Sequence, residues 1–177
     1  MYKRQVYTLL AEYMLGIAGT FEFEPDPPNL RRALAIEPRS PFILNHVGWN
    51  ELYAGNTENA YECFKKAKKF GPFDPMRAHI ESGIALTCLF RSNYEDAILH
   101  AKNAISINKA FPVPYRVLAA AEAMNGDVEQ AGDTIDKLIG LVPNDSIERI
   151  RNGGGWKNTP QAQIYIEGLQ KAGLPLA

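Results

Sequence analysis

The sequence predicts an all-α protein, a right-handed stack of helix hairpins closed by a C-terminal helix. Three observations point there. Pro38 and Pro72 stand 34 residues apart, as do Ala33 and Ala67, and Ala97 and Ala131. Each marker falls in one local pattern: a Gly or Ser turn, an Ala five residues on, then a helix closed by Pro or a polar stop. Between the markers, apolar residues recur three and four apart, the spacing of one helix face. A hairpin repeated at this period cannot bury its apolar face alone, so successive hairpins stack.

The clearest unit spans 41–74. Its first helix carries Leu44, Val47, Gly48 and Leu52 at helical spacing. Gly48 is mid-helix, where it costs about 1 kcal/mol relative to Ala, so a close helix contact is expected there. Gly55-Asn56 makes the turn, and Asn56 or Thr57 is expected to cap the second helix. Ala60, Phe64 and Ala67 face the first helix, and Gly71-Pro72 ends the unit. The next unit, 78–111, has Ala85 in the place of Gly48. Ser92-Asn93 replaces the glycine turn, and Tyr94, Ala97, Ala101 and Ala104 form the packing edge. Ala60 to Ala97 is 37 residues, so three extra residues have entered, within the rigid turn 70–75 with its two prolines. The third unit, 112–145, has Ala119 as its small mid-helix residue, Gly126-Asp127 as its turn, Ala131, Ile135 and Leu138 inward, and Pro143 as its stop.

The ends are less regular. Residues 6–40 read as a degraded unit: a first helix over 6–18, a proline-rich loop over 21–28, and a short second helix over 29–36. Met1-Tyr2-Lys3-Arg4-Gln5 resembles the translation of a transposon adapter used in sequencing libraries. On that reading residues 1–5 are not native and the chain is the tail of a longer protein. Residues 146–177 read as a linker and capping helix: a short helix over 146–151, a break at Gly153-Gly154-Gly155, and a helix over 161–172. Asn158-Thr159-Pro160 supplies its cap and first turn, Ile164, Ile166, Leu169 and Ala172 its apolar stripe, and Gly173 its end.

Composition narrows the function. The chain has 177 residues, 46% hydrophobic and 22% charged, with net charge −1. Such a balance gives no overall field toward nucleic acid or an anionic membrane. The basic run Lys65, Lys66, Lys68, Lys69 reads as a solvated helix face. No stretch of 18 apolar residues exists, so no membrane-spanning helix is expected. Cys63 and Cys88, both in apolar helical surroundings, are expected as buried reduced thiols, which fits a cytoplasmic location. His46, His79 and His100 are scattered without a second ligand at helical spacing, and Gly153 to Gly155 lacks the Lys-Ser/Thr of a phosphate loop. Catalysis, metal and cofactor are therefore not expected.

Gly48, Gly55, Ala60, Phe64, Ala67 and Pro72, then Tyr94, Ala97 and Ala104, then Gly126, Ala131 and Pro143 resemble the tetratricopeptide repeat (TPR) family over 6–145. Departures are Leu44 and Glu81, where the family often has a bulky aromatic; Glu81 blurs the phase of its helix. Gly71 to Pro75, with Tyr165 to Pro175, resembles the C-terminal repeat region of bacterial class III adenylate cyclases and of winged-helix regulators. That resemblance implies a regulatory or oligomerising segment of a bacterial signalling protein, with the catalytic or DNA-binding domain ahead of it.

The TPR resemblance implies a concave groove lined by first helices. By repeat phase its exposed positions are Asn45, Trp49, Leu52 and Tyr53, then Ser82, Leu86, Leu89 and Phe90, then Arg116, Ala120 and Met124. This strip is apolar and aromatic, suited to a hydrophobic or helical partner segment. The occupant is either a protein or peptide partner or a piece of the same full-length protein, such as the C-terminal helix. Asn45 matches one position of the family's clamp for chaperone tails, but Trp49 and Ser82 break that pattern.

Overall fold

The computed structural model describes residues 27–153 and 159–177, and every regular element among them is an α-helix. The adapter-like residues 1–5, the helix expected over 6–18, most of the proline-rich loop, Gly154, Gly155 and Asn158 lie outside the described residues.

Helix α1 (Pro28–Ile36) starts on a proline, whose missing N–H costs nothing at a helix's first turn. Helix α2 (Pro41–Tyr53) does the same, with Ser40 Oγ accepting from the Ile43 N–H. Helix α3 (Thr57–Phe70) and α4 (Arg77–Phe90) follow. Helix α5 (Tyr94–Ile107) is capped by Asn93, whose side chain accepts from the Asp96 N–H at 3.3 Å. Helices α6 (Val113–Asn125) and α7 (Val128–Leu141) form the last hairpin. A short α8 (Ile147–Gly153) and α9 (Pro160–Lys171) complete the chain; Thr159 caps α9 at Ala162.

The hairpin turns need a left-handed residue, and Gly55 (φ 83°) and Gly126 (φ 99°) supply it. Ser92 takes the same conformation (φ 57°) without glycine's freedom. Two expected devices differ. Asn56 stands at the start of α3 but does not cap it; its amide donates to Glu51 Oε2 instead. Gly71 ends α3 without a left-handed backbone; a Cβ there would lie 2.6 Å from Pro41 Cγ, so crowding excludes a side chain.

Each helix packs on the next from α1 to α7. The first helices of the hairpins also touch one another, α2 on α4 and α4 on α6, which places them on the inner, tighter side of the curve. Phe64 of α3 pins the stack. A Cβ on Gly48 would lie 2.7 Å from its ring, and one on Gly83 of α4 2.4 Å from it. Two bare helix backbones thus clasp one buried phenyl ring.

Glu81, which blurred the repeat phase, is buried at the junction of three helices. Lys68 Nζ of α3 lies 2.8 Å from its carboxylate, His100 Nδ1 of α5 2.6 Å, and Arg77 of its own helix 3.8 Å. Burial alone would raise the Glu81 pKa, but the bonds from His100 and Lys68 outweigh it and hold the carboxyl below its ordinary value. Lys68 is therefore a structural residue rather than part of a solvated face. Glu122 of α6 is the contrast. It accepts from Thr134 Oγ1 at 2.8 Å, with Lys102 at 3.6 Å, and here burial prevails and its pKa rises.

Candidate functional site

The inner layer of α2, α4 and α6 holds the residues that repeat phase assigned to a groove. These side chains were expected to be exposed, and most are not. Asn45, Trp49, Leu52, Ser82, Leu86, Leu89, Phe90 and Ala120 are buried, and Tyr53, Arg116 and Met124 half-buried. From Ile80 to Phe90 every residue of α4 is buried, because α2, α3, α5, α6 and α9 all pack on it.

The C-terminal helix accounts for part of that cover. In the stacked hairpins, each first helix packs on the second helix before it. Helix α9 instead makes its main contacts with α6 and then α4, two first helices. Its start touches the first hairpin's turn, where Gln161 Nε2 donates to the Gly55 carbonyl at 3.3 Å. Its middle crosses α6 so closely that a Cβ on Gly168 would lie 2.8 Å from Ala120 Cβ and 2.9 Å from the Ala120 carbonyl oxygen. Its end brings Lys171 Nζ within 3.6 Å of Met124 Sδ. Tyr165, Ile166, Gly168, Leu169 and Ala172 are buried, while Gln163, Glu167, Gln170 and Lys171 are exposed. Beyond α9 the tail clips to α8: the Ile147 and Glu148 N–H groups donate to the Pro175 and Leu176 carbonyls.

Polar groups at this seat are spoken for. Arg116 makes a two-pronged bond to Asp145, 2.6 and 3.0 Å, so it serves the fold rather than an open groove. Burial opposes the charge on Arg116, but the Asp145 bond more than offsets it. Burial also pushes the Tyr165 phenol well above its ordinary range. Ser82 Oγ donates to the Ala78 carbonyl within its own helix at 2.7 Å.

A second cluster stands at the start of α4, between α2 and the segment that leads into α6. His79 stacks on Phe111 with ring centroids 5.4 Å apart and meets Trp49 at 5.0 Å. Its Nδ1 lies 3.2 Å from the Asn45 amide nitrogen, and burial, then His46, lowers its pKa to about 4. A neutral imidazole follows at pH 7. Among the described residues the Trp49 indole N–H finds no acceptor. Of the histidines read as scattered, His46 packs on the Phe42 ring with centroids 4.4 Å apart and bears on His79 through its charge, and His100 holds Glu81. Among the described residues no group of three His, Cys, Asp or Glu is placed to hold a metal, and no helix is long and apolar enough to cross a membrane.

No protein-family model matches the sequence, and no curated protein does. Solved structures do match. MamA 41-end from Desulfovibrio magneticus RS-1 superposes with TM-score 0.64 at 16% identity, covering 95% of this chain and 93% of that one. PilW, a type IV pilus biogenesis factor, gives 0.62 at 22% identity, covering 80% and 66%. The first TPR of Spaghetti (RPAP3), solved with the HSP90 peptide SRMEEVD, gives 0.56 at 16% identity, covering 75% and 92%. The chain folds as a TPR solenoid. At these identities the likeness shows the fold alone, and the cyclase-like reading of the tail gains no support from it.

Proposed function

We propose that this TPR array is a protein-interaction scaffold whose inner face receives an amphipathic helix, and that α9 holds that place when no partner does. The observation that supports the reading is the seat of α9 on α4 and α6, with Gly168 against Ala120. A surface that accepts one helix along its apolar stripe is built to accept another of like pattern. The Spaghetti TPR shows that this fold can hold a peptide. Nothing resembling a carboxylate clamp supports a chaperone tail here, since Asn45 is buried against His79 and the neighbouring positions are Trp49 and Ser82.

The test is direct. A labelled peptide covering residues 159–177 is titrated into the native chain and into a Gly168→Leu chain, whose own α9 cannot seat. Binding to the variant and little to the native chain is the expected result. Absence of binding to a folded variant refutes the reading. The tail resemblance at 165–175 motivates a second reading, a regulatory segment of a nucleotide cyclase or winged-helix regulator. It predicts a catalytic or DNA-binding domain in the reading frame upstream of Val6.

A further inference from the structure

The inner face is selective as well as apolar, and the selecting element is backbone. A Cβ at position 168 would meet Ala120 Cβ at 2.8 Å, the Ala120 carbonyl oxygen at 2.9 Å and Ala120 Cα at 3.0 Å. Two of these three atoms are main chain of α6, and α6 is fixed by α5, α7 and α4 on its other sides. No side-chain rotation relieves that contact. A helix lying here with anything larger than hydrogen at the crossing must lift away, and it then loses the burial of Tyr165 and Leu169 on either side. Glycine in a helix interior is a poor helix former, so its presence in the middle of α9 is explained by the approach rather than by the helix.

We infer that the partner of this face is a helix with glycine at one fixed place: an aromatic three residues before it, an aliphatic one directly after, and a small residue four after. Tyr165, Gly168, Leu169 and Ala172 of α9 hold those four places, all on one face, while Glu167, Gln170 and Lys171 look outward. This rests on the reading of α9 as a stand-in for a partner. The outward face is unconstrained, so partners that share the buried pattern differ freely there. The exclusion of side chains at the crossing separates this face from a general greasy groove, where an added methyl would be welcome.

Two measurements test it. Peptides of residues 159–177 carrying Gly, Ala or Leu at position 168 are titrated into the full chain bearing Gly168→Leu. The expected order is Gly, then Ala weaker by about tenfold or more, then Leu without measurable binding, as overpacking predicts. Equal affinity of the three peptides overturns the selectivity while leaving the groove itself standing; failure of all three overturns the groove as well. The second measurement needs no peptide. In the full chain with Gly168→Ala, helix propensity alone predicts slower amide exchange in α9, whereas the close crossing predicts faster exchange in α9 with α3 and α5 unchanged. Slower exchange sinks the inference.

Discussion

Phe64 offers the sharpest test of how the stack is held. Its ring is fully buried; Gly48 and Gly83 face it from α2 and α4, and the Trp49 ring meets it edge-on with centroids 5.6 Å apart. Phe64→Ala removes the ring and leaves a hole walled by two helix backbones and by the Trp49 ring. Core Phe→Ala changes cost about 3–5 kcal/mol, more where the site cannot collapse, so about 4 kcal/mol is expected. At this chain length that lowers Tm by roughly 8–16 °C. Gly83→Ala alone drives a Cβ to 2.4 Å from the ring. Overpacking costs about 1–3 kcal/mol, against which better helix propensity returns about 1 kcal/mol. In the Phe64→Ala background the clash is gone and only the propensity gain and the partly filled hole remain. Gly83→Ala should then stabilise by about 1 kcal/mol. Urea unfolding followed by far-ultraviolet circular dichroism gives all four corners of this double-mutant cycle. If Gly83→Ala has the same sign in both backgrounds, the ring is not clasped by that glycine.

Other outcomes follow from single residues. Ser92 sits in the left-handed conformation that Gly55 and Gly126 occupy at the other turns; Ser92→Gly should raise stability by about 0.5–1 kcal/mol, and a lower Tm would contradict the strain argument. Glu81→Gln leaves Lys68, Arg77 and His100 facing no anion and should cost about 3 kcal/mol at pH 7. The native Glu81 pKa lies below its ordinary 4.5, so this contribution is full above that value and fades as pH falls through the lowered one. Glu122 has a raised pKa, so its ionisation opposes folding as pH rises past 4.5. Glu122→Gln should cost less than about 1 kcal/mol at pH 7, and a larger loss there than at Glu81 would reverse the assignment. Burial pushes Cys88 to about 11, and it also raises Cys63, which is half-buried rather than enclosed as the sequence suggested; at pH 8 neither thiol should react with a disulfide reagent at the rate of a free cysteine until the chain unfolds.

What the sequence made visible was local. Gly48, Ala60, Ala97 and Ala131 recur because each hairpin needs a small residue where its two helices meet, and that need repeats with the chain. The stripe of α9 was equally plain, since Ile166, Leu169 and Ala172 lie on one helix face. Its destination was not, because a stripe states what is buried and not against what. The signal for the seat was Gly168, a mid-helix glycine like Gly48 whose cost called for a close neighbour. The ion cluster at Glu81 was hidden for a related reason. Lys68, Glu81 and His100 sit on three successive helices, and only stacking makes neighbours of residues 13 and 19 apart. A lone buried Glu breaks the apolar pattern, so it reads as a defect of phase until its partners are in place.

The seat of α9 also sets what a partner must overcome on the proposed reading. A segment tethered to its own groove acts at an effective concentration of about 1 mM. If its intrinsic Kd were about 10 μM, it would fill the groove roughly 99% of the time and weaken a rival helix about 100-fold. The tail adds to this, since α9 leaves only with Leu174 or by turning about the clip between Pro175, Leu176 and the start of α8. A partner helix therefore gains from being tethered itself, or from contacts outside the groove. Substituting Leu174→Ser should loosen the tail without touching the crossing at Ala120, and so raise the affinity of an added 159–177 peptide for the otherwise native chain. Unchanged affinity would mean that the clip, and not burial of Leu174, keeps α9 in place; cutting the chain after Leu174 would then be the change that opens the face.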